Sequence, residues 1–116
     1  MKWQILFYSD RVEQETLEFP DKILAKLLHI FEMIEVHGAN LGKPYTDSLG
    51  DGLFEVRAKG QEGIGRSLFF YTHGKTIIIL HSFIKKTQKT PKNEIELAVK
   101  LKDEYFNSKK KNNGHK

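Results

Sequence analysis

Two arginines and a histidine sit inside or at the ends of apolar, strand-like stretches: Arg57 in "LFEVRA", Arg66 in "RSLFFYT" and His81 in "IIILHSF". A guanidinium fork matches a phosphate in geometry and keeps its charge near neutral pH, and an imidazole can take up or release a proton there. Held together, the three could grip a phosphodiester, stabilise charge that builds on it and move a proton. Directly after His81 the chain reads "IKKTQKTPK", adding Lys85, Lys86, Lys89 and Lys92, which form either a solvated lysine loop or a track along a nucleic-acid backbone.

Whether these side chains meet depends on strand pairing. If His73 and Gly74 form a two-residue turn, Thr72 faces Lys75, Phe70 faces Ile77, Leu68 faces Ile79 and Arg66 faces His81. A turn centred between Gln61 and Glu62 sets Arg57 opposite Arg66 and Glu55 opposite Leu68. The predicted row is therefore Arg57, Arg66 and His81 across three strands, with Glu55 one step away. Two arginines placed opposite each other repel, so the row makes sense around a shared anion. Plainer uses exist for every member: the arginines can pair with Glu55 or Glu62, His81 can be a core histidine, and Tyr71 can pack rather than stack on a base.

The elements that would position this row follow from periodicity. "WQILFYS" (3–9) reads as a strand ending at Ser9 and Asp10, either of which can cap a helix. A weakly patterned helix over 10–19 stops before Pro20. A stronger one follows, with Ile23, Leu24, Leu27, Leu28, Phe31 and Ile34 at helical spacing and Gly38 as its terminator. "GANLGKPYTDSLGDG" (38–52) reads as loop, "KGQEGIG" as a flexible connection, and three strands are predicted at 53–58, 66–72 and 75–83. Pro91 and Asn93 open a last helix with Ile95, Leu97, Ala98, Leu101 and Tyr105 as its apolar positions. The order is β-α-α-β-β-β-α, an α+β domain over residues 1–106 with a mostly antiparallel sheet. The lysine-rich tail 107–116 has nothing to bury and is expected to be disordered.

Bulk properties narrow the function. The 116-residue chain suits one domain, and with no cysteine it has no disulfide, thiolate nucleophile or cysteine-held metal. No apolar run is long enough to span a membrane and the start "MKWQILFYSD" lacks a signal peptide's pattern, so a cytoplasmic protein is expected. Residues 52–92 hold eight basic and two acidic side chains, against five and nine in residues 1–51 and two and four in residues 93–106. A basic block between acidic ones is what a phosphate-binding face on a soluble domain needs. His29 and His37 have no matching ligand set, "GQEGIGR" opens no helix, and no Gly-x-Ser-x-Gly elbow occurs, so chemistry free of metal and cofactor is expected.

"GLFEVR", "GIGRSLFFY" and "IIILHSFIKKTQKTPKNEIELA" together resemble the HigB toxins, the phage-derived branch of the HigB/RelE superfamily of type II toxin–antitoxin systems. The likeness covers residues 3–106, and its most specific part is "KKTQKTP" with the acidic-apolar helix start behind it. It implies a RelE-like fold and a metal-independent endoribonuclease, an mRNA interferase that cuts messenger RNA on the ribosome and so inhibits translation and growth. A HigA-type helix-turn-helix antitoxin would hold it inactive. Attack of the ribose 2′-hydroxyl on the adjacent phosphate would restrict cleavage to RNA. Arg66 falls at the family's phosphate-binding arginine and Arg57 at a basic residue of the preceding strand. On this reading both stabilise the phosphorane, His81 or Glu55 takes the 2′-hydroxyl proton, and Lys85, Lys86, Lys89, Lys92 and Tyr71 bind RNA. Three alternatives remain open: a ParE-like toxin that binds DNA gyrase, a nucleic-acid-binding module that uses the same cations only for grip, and a plain structural or adaptor protein, which would leave Arg57 and Arg66 apart or paired with acids.

Overall fold

The computed structural model describes residues 2–72 and 74–113, with side chains described through residue 108. Strand β1 (Gln4–Phe7) leads into α1 (Asp10–Leu17) and α2 (Asp21–His37), followed by β2 (Thr46–Gly50), β3 (Leu53–Gly60), β4 (Gly63–Thr72), β5 (Thr76–Lys85) and α3 (Lys92–Asn113). Ser9 caps α1, its hydroxyl accepting from the Val12 N–H. Gly38 closes α2 at φ 100°, where its N–H reaches the Ile34 carbonyl and a side chain would be strained.

The sheet order is β1-β5-β4-β3-β2, parallel between β1 and β5 and antiparallel elsewhere. Alternation along the strands splits the core in two. Helices α1 and α2 cover one face through Val12, Ile23, Leu27, Ile30 and Ile34 against Val56, Phe69, Ile77 and Ile79. On the other face α3 packs Ala98, Ile95, Val99, Leu101 and Tyr105 over Leu53, Leu68, Phe70, Ile78 and Leu80. Burial on both sides is why "SLFF" and "TIIIL" are continuous rather than alternating apolar runs.

Four details differ from the sequence-based expectation. The 38–52 stretch contains β2, an edge strand that pairs with β3 through a bulge between Ser48 and Gly50; its holding bonds are backbone bonds, which its Gly- and Asp-rich composition does not advertise. The "KGQEGIG" connection is no flexible loop, because Gly60 pairs with Gly63 and only Gln61 and Glu62 form the turn. In α3 Leu97 is exposed and Val99 packs in its stead. Finally, α3 continues to Asn113, so most of the expected disordered tail is helical; residues 114–116 and the tail's lysine side chains lie outside the described residues. No helix among the described residues is long and apolar enough to cross a membrane.

The β3–β4 hairpin sits tightly under α2. A Cβ at Gly65 would lie 2.5 Å from Ile23 Cγ2 and 3.0 Å from Phe19 Cε2. Ile23 is fully buried and Phe19 nearly so, leaving little room to yield. Gly65→Ala is therefore expected to destabilise the fold by about 1–3 kcal/mol in urea unfolding. An unchanged midpoint would mean that these two side chains reposition freely and that the contact does not restrain the hairpin.

Candidate nucleic-acid interface

Arg57 lies opposite Arg66, and Glu55 opposite Leu68, as the sequence predicts. His81 does not complete that row. Thr72 pairs with Thr76, so the β4–β5 turn spans three residues, with His73 itself outside the described residues. The register then shifts again between Leu68 and Phe69: Phe69 pairs with Ile79, but Leu68 pairs with His81 and Arg66 with Phe83. A bulge at Leu80 produces this second shift, placing Leu80 and His81 in succession on the face covered by α3. His81 thus shares the arginines' face one row away, beside Leu68 and Glu55. Without the bulge the three-residue turn would point it at α1 and α2.

The anion that the two arginines share belongs to the protein. Glu55, 1% exposed, places Oε2 2.9 Å from Arg57 Nη1 and Oε1 3.7 Å from Arg66 Nε, and Oε1 also accepts from Thr90 Oγ1 at 2.5 Å. Arg66 is 0% exposed. Its remaining donors go to main-chain oxygens: Nη1 to Lys85 at 3.3 Å, and Nη2 to Thr87 and to Gln88. Its Nε alone has no hydrogen-bond acceptor. Arg57 Nη2 donates to the Gln88 carbonyl at 3.0 Å, and its side chain is 21% exposed. Burial lowers the Arg66 pKa from its ordinary value, Arg57 beside it lowers it further, and Glu55 acts in the opposite sense. The guanidinium still keeps its proton near neutral pH.

These contacts shape the segment between β5 and α3 into an arch. It leaves β5 at Lys85, is held down by Arg66, Arg57 and Glu55, and re-enters the fold at Pro91, whose carbonyl accepts from the Glu94 and Ile95 N–H groups. Lys85, Lys86, Lys89 and Lys92 are all exposed along it. Taking charges out of water costs several kcal/mol per ion unless each is well paired. Here Glu55 and the arch carbonyls offset that cost in part, Arg66 Nε staying without an acceptor, and the product is a fixed path for a lysine-bearing loop. One buried and one partly exposed cation to one carboxylate also leave an excess positive charge, which Arg57 presents to a cleft of about 350 Å³ lined by Lys43, Pro44, Asp47 and Gln88.

His81 lies beyond the arch. Its Nε2 is 2.7 Å from Glu94 Oε1, its ring stacks on Phe83 at 5.1 Å, and Lys85 Nζ is 3.9 Å from Glu94 Oε2. Tyr71, by contrast, is on the opposite sheet face, packed edge-on against Trp3 and tilted against Phe54 while 43% exposed. It is not part of the arginine and lysine surface. Among the described residues no group of three or more His, Asp or Glu side chains is gathered as a metal ion would need.

Sequence reasoning missed Lys43, Gln88, Thr90 and Glu94. Gln88 acts through its carbonyl, which no residue type signals. Lys43 lies in the acidic half of the chain and reaches the cleft only because β2 runs beside β3. Glu94 does carry a signal, an acid in the first turn of a helix, but that pattern reads as a helix-dipole partner rather than as a histidine's.

The fold is like that of proteins solved in toxin–antitoxin complexes. The chain is similar to YoeB in the YoeB–YefM complex from Staphylococcus aureus, at 18% identity and a TM-score of 0.54, covering 73% of this chain and 99% of that one. The archaeal RelE of the RelE–RelB complex from Pyrococcus horikoshii matches at 16% identity and the same TM-score, covering 77% and 100%. At these identities the likeness is one of fold. No curated protein matches the chain. The model of the family described as phage-derived protein Gp49-like (DUF891) matches residues 14–103, and the chain belongs to that family.

Proposed function

We propose that this protein is the toxin of a type II toxin–antitoxin system, of the HigB kind, and that it is a metal-independent endoribonuclease acting on translated messenger RNA. The reading is supported by membership of a phage-derived family and by a fold like that of YoeB and RelE. The observation that carries it is the arch: a fully buried arginine and a buried glutamate serve to hold four exposed lysines in one place. A loop needed only for solubility would not require such an anchor.

The roles divide according to exposure. Lys85, Lys86, Lys89 and Lys92 hold the RNA backbone, and Arg57, with Lys43, contacts a phosphate from the cleft. Arg66 is engaged by carbonyl oxygens, so it contributes charge from beneath and fixes the arch rather than touching RNA. Both Glu55 oxygens are committed to Arg57, Arg66 and Thr90, which argues against Glu55 as the proton acceptor and supports His81 in that role. An antitoxin, HigA-type with a helix-turn-helix domain on this reading, would restrain the toxin.

Induced expression in bacteria, followed by primer extension on an abundant transcript, tests this. New 5′ ends inside translated regions together with growth arrest are expected. Arrest without new ends would favour a gyrase-directed toxin, and neither effect would leave the arch as a binding surface only. A second expectation concerns salt. Each lysine that contacts a phosphate of single-stranded RNA should contribute about 0.7 to the slope of log affinity against log salt. Lys86→Ala with Lys89→Ala should lower that slope accordingly, and an unchanged slope would remove the arch from the RNA path.

A further inference from the structure

His81 is held at two points, and only one of them is apolar. Phe83 covers a ring face at 5.1 Å with 28° between planes, while the ring edge meets Glu94 through Nε2 at 2.7 Å. Both polar side chains are largely covered, His81 15% and Glu94 13% exposed. Glu94 is itself fixed. It sits in the first turn of α3, with its N–H on the Pro91 carbonyl, and Ala98 one turn later is fully buried against the sheet. Lys85, 3.9 Å from the other carboxylate oxygen, balances its charge.

We infer that Glu94 is a positioning residue: it holds the His81 imidazole in the tautomer protonated on Nε2, so that Nδ1 accepts the ribose proton as the 2′-oxygen bonds to phosphorus, and the imidazolium so formed returns that proton to the 5′-oxygen as its bond to phosphorus breaks. The inference rests on the proposed ribonuclease reading. A carboxylate only accepts, so a neutral imidazole 2.7 Å away must place its hydrogen on the facing nitrogen. The lone pair is then on Nδ1, and the Phe83 stack fixes the plane in which it points. A packing role alone would be served equally by an apolar residue at 94, without covering a carboxylate. The arch joins the two halves of the site, since it starts at Lys85 and ends at the helix that carries Glu94. The same segment that places the lysines thereby sets the distance from backbone-gripping cations to the proton acceptor.

Glu94→Gln keeps the shape of the side chain but can donate as well as accept, so it no longer enforces one tautomer. With the full chain, 15N NMR of the His81 ring, assigned by its loss in His81→Ala, is expected to show the hydrogen on Nε2 in the wild type and a changed tautomer population in Glu94→Gln. RNA cleavage by Glu94→Gln is expected to fall about tenfold or more in kcat with KM unchanged and the melting temperature preserved. Wild-type His81 protonated on Nδ1, or full activity in Glu94→Gln when His81→Ala is inactive, would overturn the positioning role alone. Full activity in His81→Ala would instead overturn the catalytic reading of His81, and this inference with it.

Discussion

Arg57→Ala is expected to abolish growth arrest and the appearance of new 5′ ends while leaving a folded protein. Arg57 is the partly exposed member of the arginine pair and lines the cleft with Lys43. Removing one preorganised cation from a site where phosphate charge develops costs about 10²–10³-fold in turnover. Its loss breaks one hydrogen bond to Glu55 and one to the Gln88 carbonyl, but Glu55 retains Thr90 and Arg66 as partners. The expected loss of stability is therefore within about 2 kcal/mol. Arg57→Lys should fall between, keeping the charge but losing the fork. Single-turnover cleavage beside RNA binding decides the matter. Turnover must fall far more than affinity; equal losses would describe a binder, and wild-type cleavage would remove Arg57 from the site.

Arg66→Ala should fail for a different reason, by loss of the fold around the arch. The substitution leaves the Lys85, Thr87 and Gln88 carbonyls without their shared donor and strips Glu55 of one of its two cations. Breaking a buried ion pair from one side costs about 3–5 kcal/mol. For a domain of this size that corresponds to a fall in melting temperature on the order of 10–20 °C. Arg66→Lys is not a conservative replacement, because a single ammonium cannot reproduce a fork that spans three carbonyl oxygens. Lost activity in an Arg66 variant is thus no measure of contact with RNA unless its thermal melt is recorded beside it. An Arg66→Ala protein that melts with the wild type would show that the guanidinium does not hold the arch.

Much of the site's frame can be read from residue types, and what cannot be has identifiable causes. Helical spacing from Ile23 to Ile34, a cap at Ser9 or Asp10 and Gly38 as terminator act locally and emerged as expected, whereas the stretch read as a flexible connection closes in the tight Gln61-Glu62 turn that the register count assumed. The Arg57–Arg66 pairing followed from that turn by counting. His81 moved because two events acted on one strand pair: a three-residue turn shifted the register by one, and the Leu80 bulge shifted it again. Neither has a compositional mark in "THGKTIIILHSF". Together they restored the face of His81 but not its row. Pairing of the arginines with Glu55 was among the plainer uses read from the sequence, but as a contact on an exposed face. Glu55 was visible as a neighbour, but that it is buried and doubly bound depends on Thr90, 35 residues later in the chain. Tyr71 is a different case: five residues from Arg66 on the same strand, it faces the other side of the sheet by the alternation that the sequence itself contains.

The arginines hold the arch by carbonyl oxygens, and a carbonyl oxygen is the one acceptor that every amino acid supplies. Anchorage at 85, 87 and 88 is consequently indifferent to which side chains those positions carry; only the hydroxyls of Thr87, which donates to the Lys89 carbonyl, and Thr90, which donates to Glu55, tie the path to residue identity. Positions 86, 88 and 89 can exchange their side chains while the scaffold beneath stays in place. The arch is in this sense a replaceable reading head on a constant mount: its chemistry toward a nucleic acid can drift, sharpen or change sign by substitution at three positions, with little to repair in the core below.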